Sequence, residues 1–164
     1  MVVIRNATPA DISVIQDLAE KTWWKVYTPI LEEEQITYML DTIYSEDVLK
    51  QSMDDGSQVF LLLLEDEVAK GFVSFGPWKE SPGIWKIHKL YVLPDCQGRG
   101  FGRNLVDEVC SRASHANVPS VVLNVNRYNP ALNFYLRYGF SILRQEDIPI
   151  GKYWMNDYVM RIDL

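Results

Sequence analysis

The stretch from Gly83 to Asn117, "GIWKIHKLYVLPDCQGRGFGRNLVDEVCSRASHAN", restricts the folds open to this chain more than any other. Its apolar and aromatic first part reads as a strand, which Pro94 closes. Gly98, Gly100 and Gly102 follow at alternate positions, and Leu105, Val106, Val109, Cys110 and Ala113 then recur at helical spacing from Gly102 to Asn117. A strand needs partners and an amphipathic helix needs an apolar surface. The helix must therefore fold back onto the sheet that holds the strand, with the glycine loop at the junction.

The same glycines carry chemistry. A residue without Cβ takes positive φ readily and lets a ligand touch the main chain. The helix that starts there adds free N–H groups and the positive end of its dipole, which together suit a phosphate or pyrophosphate. Two familiar loops fit poorly. The nucleotide-hydrolase loop needs G-x-x-x-x-G-K-[ST], and no Lys followed by Ser or Thr stands in place. The dinucleotide fingerprint needs G-x-G-x-x-G with an acidic residue about twenty positions on; here the spacing is G-x-G-x-G, and Leu123 to Asn126 holds no carboxylate.

The remaining elements fall on both sides of this unit. "VVIRNATPADISVIQDLAEKTW" reads as a strand and then a helix, with Thr8 as N-cap, Pro9 at the first helical position and Asp11 closing a short-armed capping box. Thr28-Pro29 reads as a second helix start leading into "ILEEEQITYMLDTIY", and Ser45-Glu46-Asp47 as a third, running to about Met53. "QVFLLLLE" and "VAKGFVSFG" form a hairpin about Glu65-Asp66-Glu67. "SVVLNVN" is a buried strand, Asn129-Pro130 starts a short helix that Gly139 ends after Tyr138, and "FSILRQED" and "NDYVMRIDL" are two last strands. The order indicates an α/β (α+β) domain covering residues 1–164, with a central mixed, mostly antiparallel sheet of six to seven strands flanked by about four helices.

Charge narrows the function. With a net charge of −6 the chain does not concentrate the Lys and Arg that a general nucleic-acid binder needs. No apolar run reaches the roughly 18 residues needed to span a bilayer, and the start lacks a charged segment followed by an apolar one. A cytoplasmic protein with neither nucleic-acid nor membrane partner is expected. Cys96 and Cys110, fourteen positions apart, with two histidines in the whole chain, are too few for a zinc site and read as free thiols. No metal is expected.

Gln97-Gly98-Arg99-Gly100-Phe101-Gly102 resembles the Q/R-x-x-G-x-G/A loop with which the GNAT superfamily of acyl-CoA-dependent N-acyltransferases grips the pyrophosphate of acetyl-CoA. "NPALNFYLRYGF", Asn129 to Phe140, is similar to that family's second signature, N-x-x-A-x-x-F-Y-x-x-x-G-F, tightened by one residue after Asn129. The strand and helix order matches the family fold over essentially the whole chain.

The resemblance implies direct transfer: a free amine attacks the thioester of acetyl-CoA while the protein positions both substrates, removes a proton from the amine and supplies one to the sulfur. Gln97 to Gly102 would hold the pyrophosphate, with Arg99 and Arg103 beside it. The main-chain groups of Leu90, Tyr91 and Val92, on a strand that splays from its neighbour, would hold the pantetheine arm, and Asn126 and Asn129 its amides. Tyr135 takes the place of the family's general acid, since a phenol with pKa near 10 can protonate a departing thiolate; it also belongs to a packed helical face with Ala131, Phe134 and Tyr138. His88 is the candidate base. In a regular strand it shares a face with Leu90 and with Lys86, which would depress its pKa; a Glu or a water chain is the alternative.

Trp24, Tyr27 and Tyr153 offer aromatic walls for the acceptor amine, and Glu34, with Glu32, Glu33 and Asp41, offers negative charge. The mixture suits a polyamine or another extended cation. "WKIHKLYVLPDCQGRGFG" with "NDYVMRIDL" is similar to bacterial spermidine/spermine N-acetyltransferases of the PaiA type. A protein N-terminal or lysine acetyltransferase and a non-catalytic CoA-binding module are the alternatives, and a homodimer is left open.

Overall fold

A computed structural model describes residues 1–164. Strand β1 (Val2–Asn6) leads through a 3-10 turn at Pro9–Asp11 into helix α1 (Ile12–Tyr27). Asp11 Oδ2 accepts the Thr8 N–H at 2.9 Å, the short-armed cap expected from the sequence. Thr28-Pro29 closes α1 instead of opening the next helix. Pro29 has no N–H to continue the ladder, the N–H groups of Ile30 and Leu31 turn back to the Tyr27 carbonyl, and α2 (Glu33–Ile43) begins only after that turn. Helix α3 (Glu46–Asp54) starts where expected, with Ser45 Oγ accepting the Val48 N–H at 3.3 Å.

Strands β2 (Val59–Glu65) and β3 (Val68–Trp78) form the expected hairpin, turned by Asp66 and Glu67 at φ 49° and 69°. Then come β4 (Ser81–Val92), α4 (Phe101–His115), β5 (Ser120–Asn126), α5 (Ala131–Tyr138), β6 (Ser141–Ile150) and β7 (Tyr153–Asp163). The last two strands run further than the sequence suggests. Ile148 and Ile150 face Met155 and Tyr153 across the hairpin, so "DIPIGKYW" is ordered by apolar cross-strand pairs and is not a free loop.

The seven strands form one sheet in the order β1-β2-β3-β4-β5-β7-β6, antiparallel throughout except for the β4–β5 pair. The mixed, mostly antiparallel sheet is as expected, with five α-helices where about four were expected. Helices α1, α2 and α3 cover one face around Trp23, Ile36, Leu49, Phe60 and Phe72, while α4 and α5 cover the other around Leu61, Val73, Leu105, Val109 and Leu123. Layers on both faces explain why "FLLLL" of β2 is apolar without alternation: Phe60 and Leu62 face one layer, Leu61 and Leu63 the other. No helix is long and apolar enough to cross a membrane.

One irregularity interrupts the sheet in β4. Ser74 pairs with Lys89 and Phe75 with Ile87, so His88 is an extra residue on this strand. The bulge reverses the alternation, placing Trp85 and Ile87 before it, and Leu90 and Val92 after it, on the α4 side. The regular spacing that put His88 and Leu90 on one face does not hold here.

Candidate active site

Strands β4 and β5 pair only at Trp85–Val121, Lys86–Val122 and Ile87–Leu123. Beyond that point they part, and β4 keeps hydrogen bonds only to β3. Leu93 N–H donates to Lys70 O at 2.9 Å. By the two-residue alternation of an antiparallel ladder, Tyr91 also turns its main chain to β3, while Leu90 and Val92 face the gap. Of the expected trio, two therefore offer free main-chain groups, and Tyr91 does not. The gap is the head of a cleft of about 770 Å³ walled by β4, β5, the glycine loop, the end of α1 and the start of α5.

The glycine loop forms the mouth of this cleft. Gly98 and Gly100 both sit at φ +82°, and nothing lies within 4 Å of where a Cβ would stand on either. Gly100 caps α4, so the first N–H groups of that helix lack helical partners and meet the cradle. Gly102 is already helical, and Gln97, Phe101 and Gly102 line the cleft with Gly98 and Gly100. A bare, N–H-rich concavity at the positive end of a 15-residue helix fits a diphosphate.

Of the two arginines expected beside the pyrophosphate, only Arg103 lines the cleft. Arg99 is held by Glu65 at the tip of the β2–β3 hairpin through both guanidinium nitrogens, stacks 4.7 Å from the centre of the Phe101 ring, and does not line the cleft. Its pairing holds the Glu65 carboxyl below the usual range. Arg103, in the first turn of α4, lines the cleft and lies 5.1 Å from the centre of the Tyr138 ring.

Tyr135 lines the opposite wall on α5 and is buried. Burial, with Tyr27 nearby, raises its pKa, so the phenol keeps its proton. Tyr27 lies between β4 and α5: its hydroxyl is 3.2 Å from that of Tyr91 and accepts from Asn129 Nδ2 at 3.5 Å. Asn129 also caps α5, its Oδ1 accepting the Ala131 N–H at 2.9 Å. Asn126 is drawn away from the cleft, because its Oδ1 takes the Tyr128 N–H at 2.9 Å and its amide packs on Met155. It serves the turn after β5.

His88 lines the cleft with one edge open to solvent. Partial burial, together with the charges of Lys86 and Lys89, depresses its pKa well below the usual imidazole value, so the ring is neutral. Lys89 also lines the cleft and is 8% exposed. Its ammonium donates to Gln58 Oε1 at 2.8 Å and has no carboxylate partner, and burial lowers its pKa to about 8.

The expected acceptor residues do not gather at one place. Tyr27 is in the cleft, but Glu34 and Tyr153 line a separate acidic cavity of about 750 Å³ with Glu32, Glu33, Tyr38 and Asp41. The break after α1 carries α2, and Glu34 with it, away from the cleft. Trp24 lines neither cavity and packs against the α1 side of the core. Sequence reasoning missed Lys25, Lys89, Asn124 and Arg137, which line the cleft. Of these only Asn124 carried a signal, as a polar residue within the apolar strand "SVVLNVN".

Comparison with known proteins agrees with this geometry. The Acetyltransferase (GNAT) family matches residues 20–140. The L-amino acid N-acyltransferase MnaT of Escherichia coli is 32% identical over 84 residues, 49% of either chain. The L-methionine sulfoximine/L-methionine sulfone acetyltransferase of Salmonella typhimurium is 27% identical over 106 residues, 61% of either chain. The PaiA N-acetyltransferase of Thermoplasma acidophilum, solved in complex with coenzyme A, superposes with a TM-score of 0.85 at 22% identity, covering 100% of this chain and 99% of that one.

Proposed function

The chain belongs to the GNAT family of acetyltransferases, and on that footing we propose that it moves an acetyl group from acetyl-CoA to the amine of a small, amino-acid-like acceptor. The observation that carries the acceptor class is the charge of the cleft. Its wall holds the cations Lys25, Lys89, Arg103 and Arg137 and no Asp or Glu. Arg103 and Arg137 lie toward the glycine loop and α5 and suit the phosphates of CoA. Lys25, and Lys89 once its ammonium swings from Gln58 Oε1 and the faces of Tyr44 and Phe60, are left for an anion on the acceptor, and an amine that also carries a carboxylate supplies one. A polyamine would meet like charge there. The two relatives named for amino-acid substrates support the same class.

Acetyl-CoA supplies an acetyl group on a thioester. The Gly98 to Arg103 loop would bind its diphosphate, and the free edge of β4 at Leu90 and Val92 would hold its arm and polarise the acyl oxygen. Tyr135, protonated at all working pH values, donates to the leaving sulfur. Neutral His88 accepts a hydrogen bond from the acceptor side. Its depressed pKa makes it a weak proton sink, so proton removal from the amine passes to water along the open end of the cleft. Asn129 holds Tyr27 and the start of α5 in place.

A thiol-release assay with acetyl-CoA tests this reading against L-methionine sulfone, other amino acids, spermidine, spermine and an N-terminal peptide. Turnover with amino acids, and a KM for them at least about tenfold higher in Lys89→Met, are the expected results. Turnover with spermidine or the peptide while every amino acid stays inert would overturn the acceptor class. The acidic cavity around Glu34 and Tyr153 would then be the place to seek the polyamine.

A further inference from the structure

The β5 wall of the cleft contains one polar side chain that neither the coenzyme cradle nor the proton donor explains. Asn124 lines the cleft, and the one hydrogen bond its side chain makes is from Nδ2 to Asp157 Oδ2 on β7, at 3.3 Å. Asp157 is 7% exposed, takes part in no ion pair within 4.0 Å, and has its other oxygen, Oδ1, buried with no hydrogen-bond partner. Keeping a carboxylate in such a place is costly, and a valine or leucine would fill it without that cost. One 3.3 Å hydrogen bond from Asn124 is all that the ionised side chain offers in return.

The effect of Asp157 on Asn124 accounts for its presence. An ionised carboxylate only accepts hydrogen bonds, so an amide beside it must turn its NH2 group toward the acid and its carbonyl oxygen away. We propose that the Asn124 carbonyl oxygen accepts an N–H of the incoming amine, and that Asp157 is the positioning residue that holds the amide in that orientation. The inference rests on the reading of the cleft as an acetyl-transfer site and adds the group that orients the nucleophile in it.

Protonation reverses the device. A neutral Asp157 can donate to Asn124, the amide can flip, and the cleft then meets an NH2 group that repels the N–H of the amine. The groups around Asp157 set where this happens. Burial dominates and raises its pKa to about 6; Glu146 on β6 acts in the same direction, and Lys86 on β4, Arg127 after β5 and the Asn124 hydrogen bond act against it. Tyr27 on α1 faces the same carboxylate and remains a neutral phenol.

Two measurements on the full chain test the pair. In 15N-labelled protein, the Asn124 side-chain NH2 signals, assigned by their loss in Asn124→Ser, should titrate with a midpoint near pH 6 and be flat in Asp157→Asn. In the kinetic arm, kcat/KM for L-methionine sulfone should fall below that midpoint by about tenfold per pH unit more steeply in the wild type than in Asp157→Asn. Asp157→Val, which loses both acceptor and charge, should raise the amine KM while leaving the affinity for acetyl-CoA unchanged. Asn124 signals indifferent to pH, or superimposable pH profiles for wild type and Asp157→Asn, overturn the proposal. Because the signal titration needs no turnover, it fails separately from the functional reading, which falls, and this inference with it, if no amine is acetylated.

Discussion

Tyr135 and Arg103 each differ from a neighbour of the same chemical type in one measurable way. Tyr135 shares α5 with Tyr138, but Tyr135 lines the cleft while the Tyr138 hydroxyl donates to Asp107 on α4. Tyr135→Phe is expected to lower kcat on the order of 100-fold with acetyl-CoA affinity unchanged in calorimetry, the size of a lost proton donor. Arg103→Ala should weaken acetyl-CoA binding several-fold, whereas Arg99→Ala, whose partner is Glu65, should leave it unchanged. Asp157 also bears on stability. Its native pKa of about 6 lies above the roughly 3.9 of an unfolded chain, so the unfolded state loses this proton first. Its contribution to folding is full below about pH 4 and is lost as pH rises through about 6, an effect of about 3 kcal/mol. Urea unfolding at these two pH values should therefore show a smaller difference in Asp157→Asn than in the wild type.

At the level of elements, the glycine loop and α5 were legible because their chemistry is local. Glycine spacing fixes where a backbone can turn left-handed, and "NPALNFYLRYGF" caps, buries and ends its own helix within twelve residues. What escaped depends on pairing between distant segments. The bulge at His88 exists only in the register of β4 against β3; the capture of Arg99 depends on a hairpin tip 34 residues earlier; and Asn124 meets Asp157 only because β5 lies beside β7. Thr28-Pro29 misled for a different reason. Its Thr-Pro pattern serves a helix start and a helix end alike, and the outcome depended on Tyr27 being held in the core. The loop itself offers a test. Alanine at Gly100 has open space for its Cβ but a φ of +82° to adopt, so Gly100→Ala should cost about 1 kcal/mol, lower Tm by roughly 2–4 °C and weaken acetyl-CoA binding.

The whole molecule is a sheet between two helix layers, parted at the one place where its strands run parallel, and that parting is the cleft. An acidic protein of net charge −6 thus surrounds a pocket whose wall is cationic. The attraction of this wall for an anionic coenzyme is local and screened by salt, so the KM for acetyl-CoA should rise as ionic strength increases. Whether the open edge of β4 and the loop at the start of α4 together hold acetyl-CoA is decided by hydrogen exchange followed residue by residue with and without it. New protection is expected at the N–H groups of Leu90, Val92 and Gly98 to Arg103, with Tyr91 already slow in the free protein. Protection confined to the acidic cavity around Glu34, or none at Leu90 and Val92, would refute that arrangement.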